Sequence, residues 1–200
     1  MHRDFRQELK SYKCWDAFTD WMYRSVGVPE DCILQNREEL IGLCEFIHEH
    51  EVRSFLEVGI WTGRLTRALH EVFRFDKVAA CDIGLAEKYG LKIELPAEAE
   101  FFRGSSQTRE YEEWRRSFGP VDLVFLDAEH TAEALRRDFE INRDLPHRFL
   151  AFHDITSGLY GTTEVRDFWQ SLSGNKLEIV RPHPEVGARE SRMGIGIWWG

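Results

Sequence analysis

Cysteine is scarce in this 200-residue chain, and Cys14, Cys32, Cys44 and Cys81 stand far apart with no C-x-x-C pair. That spacing excludes a cysteine-only zinc site and gives no sign of a disulfide framework. No run approaches the ~20 apolar residues that a membrane helix needs. The first residues include His2, Arg3, Asp4 and Arg6 and lack the apolar stretch of a signal peptide. A reducing cytoplasm is therefore the expected location. Positive charge is in deficit: 26 Lys plus Arg face 35 Asp plus Glu, a net charge of -9. Phosphates would be repelled, so neither nucleic acid nor an anionic membrane is an expected partner. Repeats, low-complexity tracts and Pro/Gly/Ser linkers are also missing. At about 100–200 residues per domain, the chain reads as one domain. A chain of this length buries roughly 70% of its unfolded surface and needs no staple to fold.

What is present is an alternation of short apolar runs with longer amphipathic segments. Phe55, Leu56 and Val58 stop at Gly59, and Leu65, Leu69 and Val72 then recur at helical spacing within Arg64 to Phe73. Strand-like runs follow at Val78 to Ile83, Glu100 to Arg103, Val121 to Leu126 and Phe149 to Phe152. Helical patterns separate them at Tyr111 to Phe118, Thr131 to Leu145, and around Val165, Phe168, Trp169 and Leu172. Continuous apolar runs divided by helices predict a mostly parallel sheet covered on both faces, a doubly wound α/β domain. Leu177 and Ile179, then Ile195, Ile197 and Trp199, alternate with other residues and predict a closing hairpin at a sheet edge. Residues 1–50 read as a helical cap on the same domain. Trp15, Phe18 and Met22 share one helical stripe, Leu40, Cys44 and Ile47 another, and Asn36 with Glu39 suggests a capping box.

Ligands of open α/β sheets bind at the carboxyl ends of the strands. Here every core run ends in groups able to hydrogen-bond or ligate: Glu57-Val58-Gly59, Asp82, Gly104-Ser105-Ser106-Gln107, Asp127 with His130, and His153-Asp154. The first turn reads E-x-G-x-x-x-G through Gly63, without the G-x-G-x-x-G that presents bare N–H groups to a pyrophosphate. A carboxylate beside the turn repels phosphate and suits a cationic ligand. Asp82 lies 25 residues beyond Glu57, where an acid can accept both ribose hydroxyls of a nucleoside. No Tyr-x-x-x-Lys pair occurs, which removes the short-chain dehydrogenase reading.

These residues resemble the class I S-adenosylmethionine-dependent methyltransferases, whose loop reads E/D-x-G-x-G-x-G before an acid on the next strand. Trp61 replaces the middle glycine. The resemblance covers roughly residues 50–200 and makes 51–200 the expected cofactor-binding domain, a seven-stranded Rossmann-like sheet. It implies cofactor contacts from Glu57, Gly59, Ile60, Trp61, Gly63, Asp82, Ile83, Ser105, Ser106, Gln107 and Asp127. Gly104 to Gln107 looks like the G-A-S-Q segment of catechol O-methyltransferase relatives, where a serine and a glutamine contact the adenine. The stretch Leu126-Asp127-Ala128-Glu129-His130, then a helix, then Phe152-His153-Asp154-Ile155, is similar to metal-dependent O-methyltransferases of the catechol and macrolide-sugar types. It is nearest the subgroup that includes cephalosporin-hydroxylase-like proteins.

The resemblance implies a divalent metal such as Mg or Mn on Asp127, His153 and Asp154, with His130 as the base. The acceptor would be a hydroxyl on a sugar, phenol or natural product. His153 stands where relatives have a carboxylate, and imidazole makes manganese, iron or zinc as acceptable as magnesium. It also leaves open a metal-free enzyme with His153 as base, or a non-catalytic S-adenosylmethionine-binding protein. His130 at a helix start is expected to stay neutral near pH 7: the dipole and a nearby cation oppose its protonation, and metal ligation would neutralise much of the opposing charge of Asp127 and Asp154. Acceptor recognition is expected from the cap, from Ser157 to Thr162 and from segment 181–192, the variable parts of such a scaffold. Trp15, Trp21 and Tyr23 are expected mainly to pack the cap. Homo-oligomerisation stays open.

Overall fold

Five apolar runs pair side by side as parallel strands in a computed structural model that describes residues 3–15, 32–156, 163–181 and 193–200. They are β1 (Ser54–Val58), β2 (Lys77–Asp82), β3 (Glu100–Arg103), β4 (Val121–Leu126) and β5 (His147–His153). Two more, β6 (Asn175–Ile179) and β7 (Ile195–Trp199), pair antiparallel, and β7 joins β5. The seven-stranded order is β3-β2-β1-β4-β5-β7-β6. The chain winds one way from β1 to β3 and the other way from β4, so the carboxyl ends of β1 and β4 flank a topological switch point. The expected doubly wound, mostly parallel sheet and its edge hairpin are both present.

Alternate residues of each strand face opposite layers. Phe55, Leu123, Phe125 and Ala151 pack into one core with α2 (Arg37–Glu49) and α3 (Arg64–Phe73). Leu56, Val58, Val124, Leu150 and Phe152 face the other, against α5 (Arg109–Phe118), α6 (Ala132–Arg143) and α7 (Glu164–Ser171). Two single-turn helices, α1 (Phe5–Glu8) and α4 (Leu85–Lys88), complete the described elements. The helices start where short polar side chains satisfy free N–H groups. Asn36 accepts from the Glu39 N–H at 2.9 Å, and Thr108 and Thr131 do the same for α5 and α6.

The cap departs from expectation in two places. Glu39 does not close a capping box; its fully buried carboxylate accepts from the Gly194 N–H at 3.0 Å and ties α2 to the start of β7. Trp15 is not helical. Its N–H donates to the carbonyls of Ile33 and Gln35, beside a single parallel bridge between Cys14 and Ile33. Those carbonyls compete successfully with a helical turn because they face Trp15 across the chain. Phe18, Trp21, Met22 and Tyr23 lie outside the described residues, as do 157–162 and 182–192.

Gly59 sets how closely β1 approaches β4. Its φ is +85°, and a Cβ there would lie 2.3 Å from the Asp127 carbonyl oxygen. Gly59→Ala is expected to cost about 2 kcal/mol or more, from left-handed backbone plus overpacking. Gly90→Ala, at φ +76° with nothing within 4 Å of its Cβ, should show only the backbone part. Paired denaturant titrations read the difference.

Candidate active site

Parallel register brings the chemistry together. Val58 pairs with Leu126, and Leu126 with Phe152. The residues that follow, Gly59, Asp127 and His153, therefore emerge at one edge of the sheet. Asp154 has φ +60°, a left-handed conformation that aspartate tolerates better than most residues. Asp127 Oδ2 lies 3.3 Å from His153 Nδ1, and Oδ1 lies 3.3 Å from His130 Nε2. Asp154 Oδ2 sits 3.7 Å from each of those two ring nitrogens. Asp127, His153 and Asp154 each offer a ligand atom within 4.8 Å of the others.

This cluster forms one end of a cavity of about 670 Å³. The other end is built from Gly59 to Trp61, Asp82, Ile83 and Ser105 to Gln107. Asp82 organises it: Oδ2 accepts from the Ile60 N–H at 3.0 Å, and Oδ1 from the N–H groups of Gly84 (2.5 Å) and Leu85 (3.1 Å). Glu57 is 3% exposed, and its Oε2 accepts from the Thr66 N–H at 3.0 Å and from the Thr66 hydroxyl. One oxygen is thus committed to the start of α3. Trp61 takes φ +52° at the middle-glycine position and sets its ring 5.8 Å from that of Tyr89. Ile83, Leu85 and Tyr89 are large apolar residues left 40–55% exposed, and all line the cavity. Apolar surface left open beside buried acids marks a ligand site.

Residues 56–155, half of the chain, match the family model of a methyltransferase domain. The chain belongs to this methyltransferase family. With its seven-stranded Rossmann-like sheet, it is a class I S-adenosylmethionine-dependent methyltransferase. No curated protein matches the methyltransferase. Among solved structures, an O-methyltransferase from Bacillus cereus in complex with S-adenosylhomocysteine superposes with TM-score 0.58 at 14% identity, over 100% of this chain and 93% of that one. TomG from Streptomyces achromogenes, an O-methyltransferase involved in tomaymycin synthesis and solved with S-adenosylmethionine, gives 0.58 at 13%, over 90% and 86%. MycE from the mycinamycin biosynthetic pathway, solved with Mg, S-adenosylhomocysteine and mycinamycin VI, gives 0.56 at 13%. That match covers 80% of this chain and 49% of MycE. At these identities the likeness is one of fold.

In the methyltransferase the four clustered groups are close and largely buried, so each shifts the titration of the others. Burial alone would raise the Asp127 pKa, but His153 and His130 outweigh it and hold Asp127 below the usual carboxylate range. Burial raises Asp154, and the charge of Asp127 adds to that. Burial opposes charge on His153, yet Asp127 and Asp154 lift its pKa to about 10. His130 is also raised, because Asp127 and Asp154 overcome its burial. The expectation of a neutral His130 assumed a bound cation; without one, the two carboxylates raise its pKa. Glu57 is pushed up by burial to about 8, with Thr66 pulling the other way.

Of the residues named from the sequence, Gly63 alone does not line the cavity; it is the N-terminal cap of α3, at φ +81°. Sequence reasoning expected the cap to face the acceptor but did not name Cys32, Leu34, Gln35 or Met193 in the wall, and Trp15, for which packing was the main expectation, lines it too. No motif marks these residues. The unusual run of aromatic and sulfur side chains near the N-terminus was the available signal.

The His153 pKa has a consequence for stability. It rises from 6.5 unfolded to about 10 folded, so its contribution is fully present below pH 6.5 and is lost as pH rises through 10. In chelator, the wild-type protein should lose stability across that window more steeply than His153→Asn. Urea midpoints measured between about pH 6 and pH 10 check this.

Proposed function

We propose that the methyltransferase transfers the S-adenosylmethionine methyl group to a hydroxyl of a small molecule, with a divalent cation on Asp127, His153 and Asp154. The observation that carries this reading is the single cavity, which joins the Asp82 turn to the His130 cluster without a break. In-line displacement at the sulfonium carbon requires nucleophile, methyl and sulfur to be aligned, and one continuous cavity permits that. The donor set suits a cation: two carboxylates and one imidazole converge, and Asp154 Oδ1 is buried with no hydrogen-bond partner among the described residues. An imidazole in the set admits Mn, Fe or Zn as well as Mg. When bound, the cation would lower the pKa of the acceptor hydroxyl.

The chain's own groups divide the remaining work. Asp82 has lone pairs left for ribose hydroxyls, Ser105, Ser106 and Gln107 face the base, and Ile83 supplies an apolar surface beside them. Glu57 favours the cationic end of the cofactor. Ile60 and Trp61 line the turn between the two ends. His130 is the better-placed base, because its side chain is 25% exposed against 3% for His153. A cation beside Asp127 and Asp154 would offset their charge, and His130 would then titrate lower, as a base at neutral pH must. The wall of Trp15, Cys32, Leu34 and Met193 fits an acceptor with an apolar body, and mycinamycin VI bound to MycE is one small molecule held by this fold.

A second reading keeps the cofactor and dispenses with the metal. It is favoured by the ion pairs that a protonated His153 makes with Asp127 and Asp154, which balance the cluster without a cation; His153 would act as base there only in the fraction that has lost its proton. Calorimetric titration with S-adenosylmethionine, with and without EDTA, tests the cofactor. Asp82→Ala should weaken that binding tenfold or more, the worth of about 1.5–3 kcal/mol for a hydrogen bond to a charged group. Unchanged affinity in a folded variant would remove Asp82 from the site. Full turnover after exhaustive chelation would select the metal-free reading, and binding without turnover on any hydroxyl acceptor a non-catalytic role.

His130→Ala should lower kcat by about 10²–10⁴-fold, the range for loss of a positioned base. S-adenosylmethionine affinity should stay nearly unchanged, since the turn after β1 and Asp82 lie on other strands. If His130→Ala keeps wild-type turnover while His153→Ala does not, the roles are reversed.

A further inference from the structure

Gln35 lies outside the matched family region of residues 56–155, yet its side chain enters the charged cluster. Its Nε2 donates to Asp127 Oδ2 at 2.9 Å, across 92 residues of sequence. The residue is 2% exposed and lines the cavity. Its backbone is held on both sides: the Gln35 carbonyl accepts from the Trp15 N–H, and Asn36 caps α2. The amide can point only one way. A flip would set its carbonyl oxygen against the Asp127 carboxylate, where neither atom can donate.

Half of that amide is wasted. Gln35 Oε1 is buried with no hydrogen-bond partner among the described residues, a cost to folding that leucine or methionine at the same place would not incur. A buried amide whose bond runs to a proposed ligand carboxylate, with its other end unpartnered among the described residues, suits the site better than packing. We propose that Gln35 is a positioning residue by which the N-terminal cap orients Asp127 toward a divalent cation. The proposal rests on the metal-assisted reading above. Carboxylates that ligate metals are themselves hydrogen-bonded, and removing such a partner typically weakens metal binding about 10–100-fold.

The test titrates Mn²⁺ into full-length protein, followed by calorimetry and by the loss of the free-ion paramagnetic resonance signal. Gln35→Leu removes the donor and should weaken Mn²⁺ binding 10–100-fold. Its melting temperature should be unchanged or higher, and its S-adenosylhomocysteine affinity should stay within about twofold of wild type. Gln35→Glu sets a carboxylate against Asp127 and should weaken Mn²⁺ binding as well. Wild-type Mn²⁺ affinity in the folded Leu variant overturns the proposal, and so does tighter binding by Gln35→Glu, which would make position 35 a direct ligand. A fall in melting temperature that accompanies the loss of Mn²⁺ also overturns it, because the role is then structural. No Mn²⁺ uptake by the wild-type protein defeats the metal-assisted reading itself, and Gln35 with it.

Discussion

Asp127 and Asp154 face each other at the ends of strands, largely buried at the cavity wall, and two such carboxylates cannot both stay ionised without positive charge beside them. His153 and His130 supply it in the protein alone, at 3.3–3.7 Å. A divalent cation would supply it more strongly, and in that case the histidines would release their protons to solvent. The need for compensation explains why a histidine can stand at position 153, where a third carboxylate would add to the repulsion. It also explains why Gln35 matters. An amide N–H is the kind of neutral donor that steadies a carboxylate without changing the charge count.

The two ends of the cavity solve different problems. At the cofactor end, Asp82 gives its oxygens to three backbone N–H groups and so shapes the loop that a nucleoside would meet. Open apolar side chains at Ile83, Leu85 and Tyr89 suit a flat, partly apolar ligand. At the far end the wall comes from the cap and from Met193, pieces distant in sequence. The glutamate that pins α2 to the Gly194 N–H holds those two pieces in one place. The far wall therefore depends on how the cap docks, whereas the end around Asp82 depends on the sheet.

Much of this was legible beforehand. Runs such as Val121 to Leu126 are too short and too continuously apolar for amphipathic helices, and the intervening helical periods leave a parallel sheet as the consistent architecture. The cluster could be inferred because polar residues in such sheets gather at carboxyl ends. The cap was less readable. Its elements are short, Trp15 trades a helical turn for carbonyls of Ile33 and Gln35, and Glu39 spends its carboxylate on β7 instead of on its own helix. Contacts between distant segments leave no local pattern.

Sequence alone determined the winding of the sheet, the acids and histidines at its strand ends, and the chemistry those residue types can support, because periodicity and strand-end position are local properties. Only the tertiary structure decided which way the His130 and His153 pKa values move, since such shifts arise from burial and from neighbours brought close by strand register. Gly63 was also settled there: its backbone starts α3 and stays behind the cavity wall. Most of all, the fold decided that Gln35 reaches Asp127. A hydrogen bond across 92 residues exists only because the cap and β4 pack at the same edge of the sheet.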